Sequence, residues 1–161
     1  VYFPRIVIPL APVFGRLVDF AISLILLAGL MLWYGMKPTA AAWFLPFLVL
    51  LMIFTASGLG MWLTSLAIQY RDVKYGMGFG VQLLMYAAPV VYPASNVPEQ
   101  FRLLYAVNPM VGVIEGFRAS LLATTAMPWD MIAVSFIASL CILVTGLVYF
   151  QRMEQFFADV A

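Results

Sequence analysis

The most informative segment of this chain of 161 residues is Tyr70-Arg71-Asp72-Val73-Lys74-Tyr75. It holds three charged residues within four positions. Residues 38–70 form a run of 33 residues without Asp, Glu, Lys or Arg, and residues 75–98 form another run of 24. A helix needs about 20 apolar residues to cross the roughly 30 Å of hydrocarbon in a bilayer. The charged island therefore predicts a short cytoplasmic loop between two membrane spans.

The composition supports the membrane class and excludes several kinds of chemistry. Hydrophobic residues make up 65% of the chain and charged residues 9%, and the mean hydropathy is +1.04, whereas soluble domains carry about 25% charged residues. The chain has no histidine and one cysteine, Cys141. Triads and metal sites that need histidine are therefore excluded within it, as are disulfide frameworks. It also has no basic patch and no Walker A motif, so we expect neither nucleic-acid binding nor a cofactor on this chain.

Apolar length predicts an all-α integral membrane protein with four transmembrane helices in a single domain, 1–161. The spans are expected at about 17–35, 43–68, 76–92 and 131–151. The chain begins with Val1 instead of methionine, which we interpret as a fragment that lacks its N-terminal part.

Basic residues predict the orientation, because cytoplasmic loops are enriched in Lys and Arg. With Arg71, Asp72 and Lys74 as a topology anchor on the inside, the C-terminus is also cytoplasmic. Five basic residues then lie inside and three outside. The inner set is Arg5, Arg16, Arg71, Lys74 and Arg152, and the outer set is Lys37, Arg102 and Arg118. Asp19 can pair with Arg16 at i, i+3 near the start of the first span, where a snorkelling pair is expected.

The segment of about 94–128 precedes the last span and predicts two short helices that meet at Asn108-Pro109. Neither helix is long enough to span, so we expect a re-entrant hairpin that is buried in protein or lines a wet cavity. The alternative is a pair of helices that lie flat on the outer surface. Glu115 and Arg118 can form an ion pair at i, i+3, either as a functional group or as a local contact.

The third span carries an aromatic and polar stripe. Tyr75, Phe79, Gln82 and Tyr86 recur at helical spacing. Aromatic rings stack on sugar rings and Gln can bind hydroxyl groups, so the stripe suits the wall of a saccharide pathway; helix packing is the alternative. Two glycine pairs at i, i+4, which permit close helix approach, are Gly76 with Gly80 and Gly112 with Gly116.

A set of short motifs in a fixed order resembles a known family. The motifs are Val1-Tyr2-Phe3-Pro4-Arg5, Tyr70 to Tyr75, Pro89-Val90-Val91-Tyr92-Pro93, Asn108-Pro109-Met110, Glu115-Gly116-Phe117-Arg118 and Glu154-Gln155-Phe156-Phe157-Ala158-Asp159. Together they resemble the permease subunit of bacterial polysaccharide ABC exporters, type-2 ABC transporters for O-antigen, capsule or teichoic acid. Such a permease has six spans with two re-entrant helices before the last. This chain would supply the last four spans.

The resemblance implies a transport subunit of the bacterial cytoplasmic (inner) membrane without enzymatic activity. Two ABC ATPase subunits and a second copy of the permease are the implied partners, with membrane lipid around them. The implied substrate is a lipid-linked glycan. By similarity, Tyr2, Phe3, Pro4 and Arg5 lie at the coupling region for the ATPase. The hairpin residues Asn108, Pro109, Glu115, Gly116 and Arg118 would form an outer gate.

Two other functions stay open at this point. A type-2 ABC permease for a drug or a small lipid would have the same fold and a different cargo. An integral-membrane enzyme acting on lipid-linked sugars would need paired carboxylates, whereas Glu99, Glu115 and Asp130 are scattered along the outer segment.

Overall fold

The computed structural model describes residues 6–90, 92–122 and 125–159, with side chains up to residue 154. Within these ranges the chain is all-helical, as predicted, and no strand occurs. The α-helices are α1 (Val7–Trp33), α2 (Leu45–Gln69), α3 (Arg71–Ala87), α4 (Glu99–Tyr105), α5 (Pro109–Leu122) and α6 (Trp129–Asp159), and short 3-10 turns cover Ala40–Phe44 and Ala94–Asn96.

Three helical segments of the described chain are long and apolar enough to cross a membrane. They are Val7–Trp33, Ala40–Gln69 and Trp129–Glu154. Helix α3 has 17 residues and carries the charged island in its first turns, so it is not among them.

Helix α1 begins ten residues before the predicted start at about residue 17. Pro9 lies in its first turn, where a missing N–H costs no helical hydrogen bond. Arg16 and Asp19 consequently lie inside the helix and not ahead of it. They form the ion pair that their spacing predicts, with 3.2 Å between Nη1 and Oδ2, and both side chains are exposed.

The charged island is helical, so the predicted loop at 70–75 is wrong. Only Tyr70 has extended backbone, with φ −128° and ψ 112°, and it both ends α2 and precedes α3. The reversal of the chain therefore takes one residue. Asp72 lies in the first turn of α3, where a negative charge is favourable to the helix dipole. Arg71, Asp72 and Lys74 remain exposed.

Helices α2 and α6 run parallel to each other in close contact. Ser139 Oγ donates to the carbonyl oxygen of Leu51 at 3.2 Å, and Tyr149 OH donates to Gln69 Oε1 at 3.0 Å. Residue numbers thus rise together along both helices. The chain must return from the Tyr70 end of α2 to the end where α2 begins, and α3 is the helix that makes this return. We call that second end the hairpin end.

The α2–α6 contact depends on small residues. A Cβ atom added to Gly146 would lie 2.4 Å from the carbonyl oxygen of Gly58, and one added to Gly58 would lie 2.7 Å from the carbonyl oxygen of Ile142. The two backbones therefore touch at this level. Such close approach is typical of helix contacts in membranes, where small and hydroxyl side chains form the interface. Thr55 Oγ1 donates to Ser139 Oγ at 3.2 Å in the same seam.

Helix α5 is wedged between the beginnings of α2 and α6. Its Val113 packs in a buried cluster with Leu48, Leu51 and Ile132. Gly112 faces Ser135 of α6, which accepts the Gly112 N–H at 3.1 Å. Helices α2, α5 and α6 thus form one packed body. In contrast, α3 has no buried residue, and Pro9 and Met31 are the buried residues of α1.

Candidate functional site: the hairpin cluster

Asn108 and Pro109 begin α5 and connect it to the end of α3. The Asn108 side-chain oxygen accepts the N–H of Met110 at 3.2 Å, an N-capping contact, and Pro109 occupies the first helical position, which suits proline. The Asn108 amide group also donates to the carbonyl oxygen of Ala87 at 3.0 Å. Ala87 is the last residue of α3, so the capping residue of one helix holds the end of another.

Glu115 and Arg118 form a largely buried ion pair that reaches the segment after α3. Glu115 is 6% exposed, and its Oε1 accepts hydrogen bonds from Arg118 Nη1 and, at 2.7 Å, from the backbone N–H of Ala94. Arg118 Nη2 donates to the carbonyl oxygen of Pro89 at 3.0 Å. A buried charge is tolerated when a partner and hydrogen bonds replace water. The pair thus binds α5 to residues 89–94.

Two tyrosines form a further set of hydrogen bonds next to these contacts. The hydroxyl groups of Tyr92 and Tyr105 lie 3.0 Å apart, and Tyr92 OH donates to the carbonyl oxygen of Tyr86 at 3.1 Å. Burial, and then the hydrogen bond with Tyr92, raise the pKa of Tyr105 above its usual value. The Tyr105 hydroxyl thus links α4 to Tyr92 in the segment after α3.

These contacts link α5 to the end of α3 and to the segment that follows it. The Glu115 oxygen that would act as a base already accepts two hydrogen bonds. In the described residues, no group of three or more Cys, Asp or Glu side chains could hold a metal ion. The hydrogen bonds of Asn108 with Ala87 and of Arg118 with Pro89 join α5 to the end of α3, so the arrangement can transmit displacement between the two helices.

The structure gathers one of the predicted sets of site residues and leaves the others apart. Asn108, Pro109, Glu115, Gly116 and Arg118, the predicted gate, all lie on α5 or at its start. The stripe lies on the open side of α3, where Tyr75 is 85%, Phe79 67% and Tyr86 63% exposed, and Gln82 is exposed as well. The anchor residues Arg71, Asp72 and Lys74 lie at the beginning of α3, at the end of the helix away from the gate residues. Tyr2, Phe3, Pro4 and Arg5 lie outside the described residues.

Sequence reasoning missed the partners of the gate residues. Tyr92, Tyr105 and Ser135 were not expected to contribute, and the acceptors of Arg118 and Asn108 are backbone carbonyls that no pattern indicates. Ser135 did leave a signal, because it and Ser139 repeat at i, i+4 within an apolar run. Hydroxyl groups at such positions are typical of helix contacts in membranes.

Comparisons with known proteins identify the family of this chain. The family model described as ABC-2 type transporter matches residues 2–122. Two relatives from Klebsiella pneumoniae, both named O-antigen export system permease protein RfbA, are each 24% identical over 159 residues, which is 98% of this chain. A relative of the same name from Myxococcus xanthus is 31% identical over 121 residues, or 74% of this chain and 46% of its own length. The chain spans 61% of the length of the Klebsiella relatives.

Proposed function

This chain belongs to the ABC-2 type transporter family, and we propose that it is the membrane part of a permease subunit that exports a lipid-linked polysaccharide of the O-antigen type. The observation that carries the proposal is the match over nearly the whole chain to relatives named as O-antigen export permeases. Transport would be driven by ATP hydrolysis on two separate ATPase subunits, with a second copy of the permease completing the exporter.

We place four crossings and one re-entrant hairpin in the bacterial cytoplasmic membrane. The parallel course of α2 and α6 supports the fourth crossing, because α3 has to return the chain across the height of α2. At 1.5 Å per residue, its 17 residues extend about 26 Å, close to the thickness of the hydrocarbon core. Burial of α5 between α2 and α6 supports a re-entrant segment over a helix lying flat on the surface.

The Tyr70 end of the bundle faces the cytoplasm in this proposal. Arg71 and Lys74 are exposed there, and positive charges next to spans favour the cytoplasmic side. Helix α6 runs toward that end as far as Asp159, which gives a cytoplasmic C-terminus. Tyr2, Phe3, Pro4 and Arg5 would contact the ATPase on the same side.

The hairpin would then act as an outer gate that follows α3. The stripe from Tyr75 to Tyr86 is the part of α3 offered to the glycan, and its exposure within the chain supports that role. Motion of α3, driven from the ATPase side, would reach α5 through the Asn108–Ala87 and Arg118–Pro89 hydrogen bonds. The permease would therefore act by moving its helices and would not modify the glycan chemically.

Deletion of the gene in its host tests the function. We expect loss of surface polysaccharide and accumulation of lipid-linked glycan on the cytoplasmic side, both restored by the full-length gene. Unchanged surface glycan combined with sensitivity to a drug would indicate the drug or small-lipid permease instead. A full-length protein that binds no ABC ATPase during purification would contradict the exporter. Sugar-modifying activity that Glu115→Gln removes would favour the enzyme.

Orientation has its own test at Val73, between the basic residues of the island. We expect Val73→Cys in a Cys141→Ser background to react with a membrane-impermeant thiol reagent only after the cells are opened. Arg71→Glu combined with Lys74→Glu should disturb insertion of α3. Labelling of Val73→Cys in intact cells would place the Tyr70 end of the bundle outside the cell and contradict the proposed orientation of every span.

A further inference from the structure

Two clefts of different chemistry meet on α5. One, which we call the polar cleft because the charged side chains Arg102, Glu115 and Arg118 line it, has a volume of about 570 Å³ and lies at the hairpin end. The other is apolar, has a volume of about 330 Å³ and lies between α1, α2 and α5. Arg118 and Leu122 line both clefts. A ligand with a charged end and an apolar end could therefore occupy both at once.

The apolar cleft suits a hydrocarbon chain. Its walls include Leu24 and Leu27 of α1, Met52 of α2 and Phe117 of α5. Cavities lined by such side chains do not hold water, which needs two to four polar partners. On its α1 side the cleft is open, and Ser23 and Leu27 are exposed on the described chain. An acyl chain is the occupant that a bilayer supplies to this wall.

The polar cleft suits an anionic group. Two guanidinium groups, Arg102 and Arg118, line it together with one carboxylate, Glu115. That carboxylate is already engaged by Arg118 and by the N–H of Ala94. Arg102 donates to backbone carbonyl oxygens at 3.2 and 3.3 Å and is 3.8 Å from the exposed Glu99. Guanidinium groups carry several donors in a planar fork that matches phosphate oxygens.

The order of the two clefts along the bundle matches a lipid of the outer leaflet. The polar cleft reaches Thr125 and Pro128, near the start of α6, whereas the apolar cleft extends down to Phe20 and Met52. We propose that these clefts together bind one anionic phospholipid, with its phosphate near Arg102 and Arg118 and an acyl chain beside α1. Basic pockets between transmembrane helices are known to hold anionic head groups. The apolar cleft lies on the side of α5 toward α1, and neither cleft includes a residue of the stripe on α3.

Lipid binding to the purified full-length protein tests this proposal by native mass spectrometry. We expect dioleoylphosphatidylglycerol to bind about fivefold more tightly than dioleoylphosphatidylethanolamine, since one basic residue near the head group contributes about that factor. Arg102→Gln should remove this preference. Lys37→Gln is the matched control, because Lys37 is exposed at the same end of the bundle and lines neither cleft. Equal loss in both variants would indicate general surface attraction and overturn the site.

A second pair of variants tests the acyl chain without touching the hairpin contacts. Leu27→Trp fills the apolar cleft and should weaken binding of both lipids, whereas Leu26→Trp, at an exposed neighbouring position outside the cleft, should not. Equal affinity for the two lipids in the unmutated protein contradicts the anionic head group. Full competition by inorganic phosphate, or preference for a polyprenyl phosphate, contradicts a membrane phospholipid. Binding is measured without export, so a negative result leaves the proposed transport function standing.

Discussion

Two glycine pairs of identical spacing have opposite surroundings in this bundle. A Cβ atom on Gly112 would lie 2.4 Å from Ser135 Oγ, and one on Gly116 would lie 2.9 Å from the Leu48 side chain. A Cβ atom on Gly76 or Gly80 would meet nothing within 4 Å. The first pair belongs to the packed body of α2, α5 and α6, and the second belongs to α3, which the chain leaves open. The first pair is thus needed for the packing of the hairpin, whereas the second pair leaves a surface of α3 free to be approached.

The largest effect is expected where a side chain is forced into the closed pair. Gly112→Leu would drive its Cβ into Ser135 and to within 2.9 Å of the Met131 carbonyl oxygen, and neither can retreat inside a packed interface. We expect no folded, monodisperse protein after size-exclusion chromatography in detergent.

Gly76→Leu is the matched control, because it makes the same replacement at the first glycine of the open pair. It should yield folded protein at the unmutated level. Equal losses in both variants would mean that α3 is packed in the isolated subunit as tightly as α5, and the contrast between the two pairs would be broken.

The ion pair that ties α5 to the segment after α3 should give the next largest effect. Arg118→Gln leaves Glu115 buried with one donor, the N–H of Ala94. Breaking a buried pair on one side typically costs about 3–5 kcal/mol, and we expect about 3 kcal/mol here because Arg118 is partly exposed. Thermal unfolding in detergent should show a clear decrease in Tm.

Arg16→Gln is the control for loss of a guanidinium, because its ion pair with Asp19 is exposed and surface pairs contribute at most about 1 kcal/mol. A decrease in Tm as large as that of Arg118→Gln would show that burial of Glu115 does not determine the stability of the hairpin.

Prediction from sequence succeeded where one physical requirement dominates. Long apolar runs bounded by charges placed α2 at 43–68 against the observed 45–69, and the Asn-Pro pair placed the start of α5 within one residue. The i, i+3 spacing also predicted the Glu115–Arg118 and Arg16–Asp19 pairs, because helical geometry alone brings such residues together. The all-helical class was also predictable, because backbone groups in lipid must form hydrogen bonds within their own segment.

Prediction failed where two physical requirements compete. The charged island reads as a loop, but Asp72 is equally suited to the first turn of a helix, and Tyr70 alone reverses the chain. The early start of α1 was missed because the charged pair Arg16 and Asp19 argues for a late start. The partners of Arg118 and Asn108 are carbonyl oxygens about 20 to 30 residues away along the chain, and no local pattern encodes them.

A smaller effect is expected at the hydroxyl group that faces Gly112. Ser135 Oγ accepts the Gly112 N–H at 3.1 Å and donates to the Ala106 carbonyl oxygen at 3.0 Å. Ser135→Ala would leave both backbone groups buried without this partner, which costs about 1–3 kcal/mol. Tm should decrease accordingly.

Ser139→Ala is the comparison for Ser135→Ala, because it removes another buried serine hydroxyl group of α6 that has different hydrogen-bond partners. Both serines are fully buried, but Ser139 donates to Leu51 O and accepts from Thr55, which itself also donates to Leu51 O. Its removal strands no backbone N–H, so we expect a loss below about 1 kcal/mol. If Ser139→Ala proved the more harmful change, the seam between α2 and α6 would outweigh the α5 contact in fixing the packed body.

The smallest effect on stability, and the most informative about function, is expected at Gly80 in the open pair. Alanine is favoured over glycine in a helix by up to about 1 kcal/mol, and nothing in the chain obstructs a Cβ there. Gly80→Ala should therefore leave Tm equal or slightly raised. Export should nevertheless fall if the glycine face of α3 closes on the second permease copy or on the glycan. Gly29→Ala on α1, equally unobstructed, should give the same Tm without loss of surface polysaccharide. Normal export by Gly80→Ala would show that the glycine face of α3 needs no close partner. Any role of α3 in transport would then depend on the aromatic stripe alone.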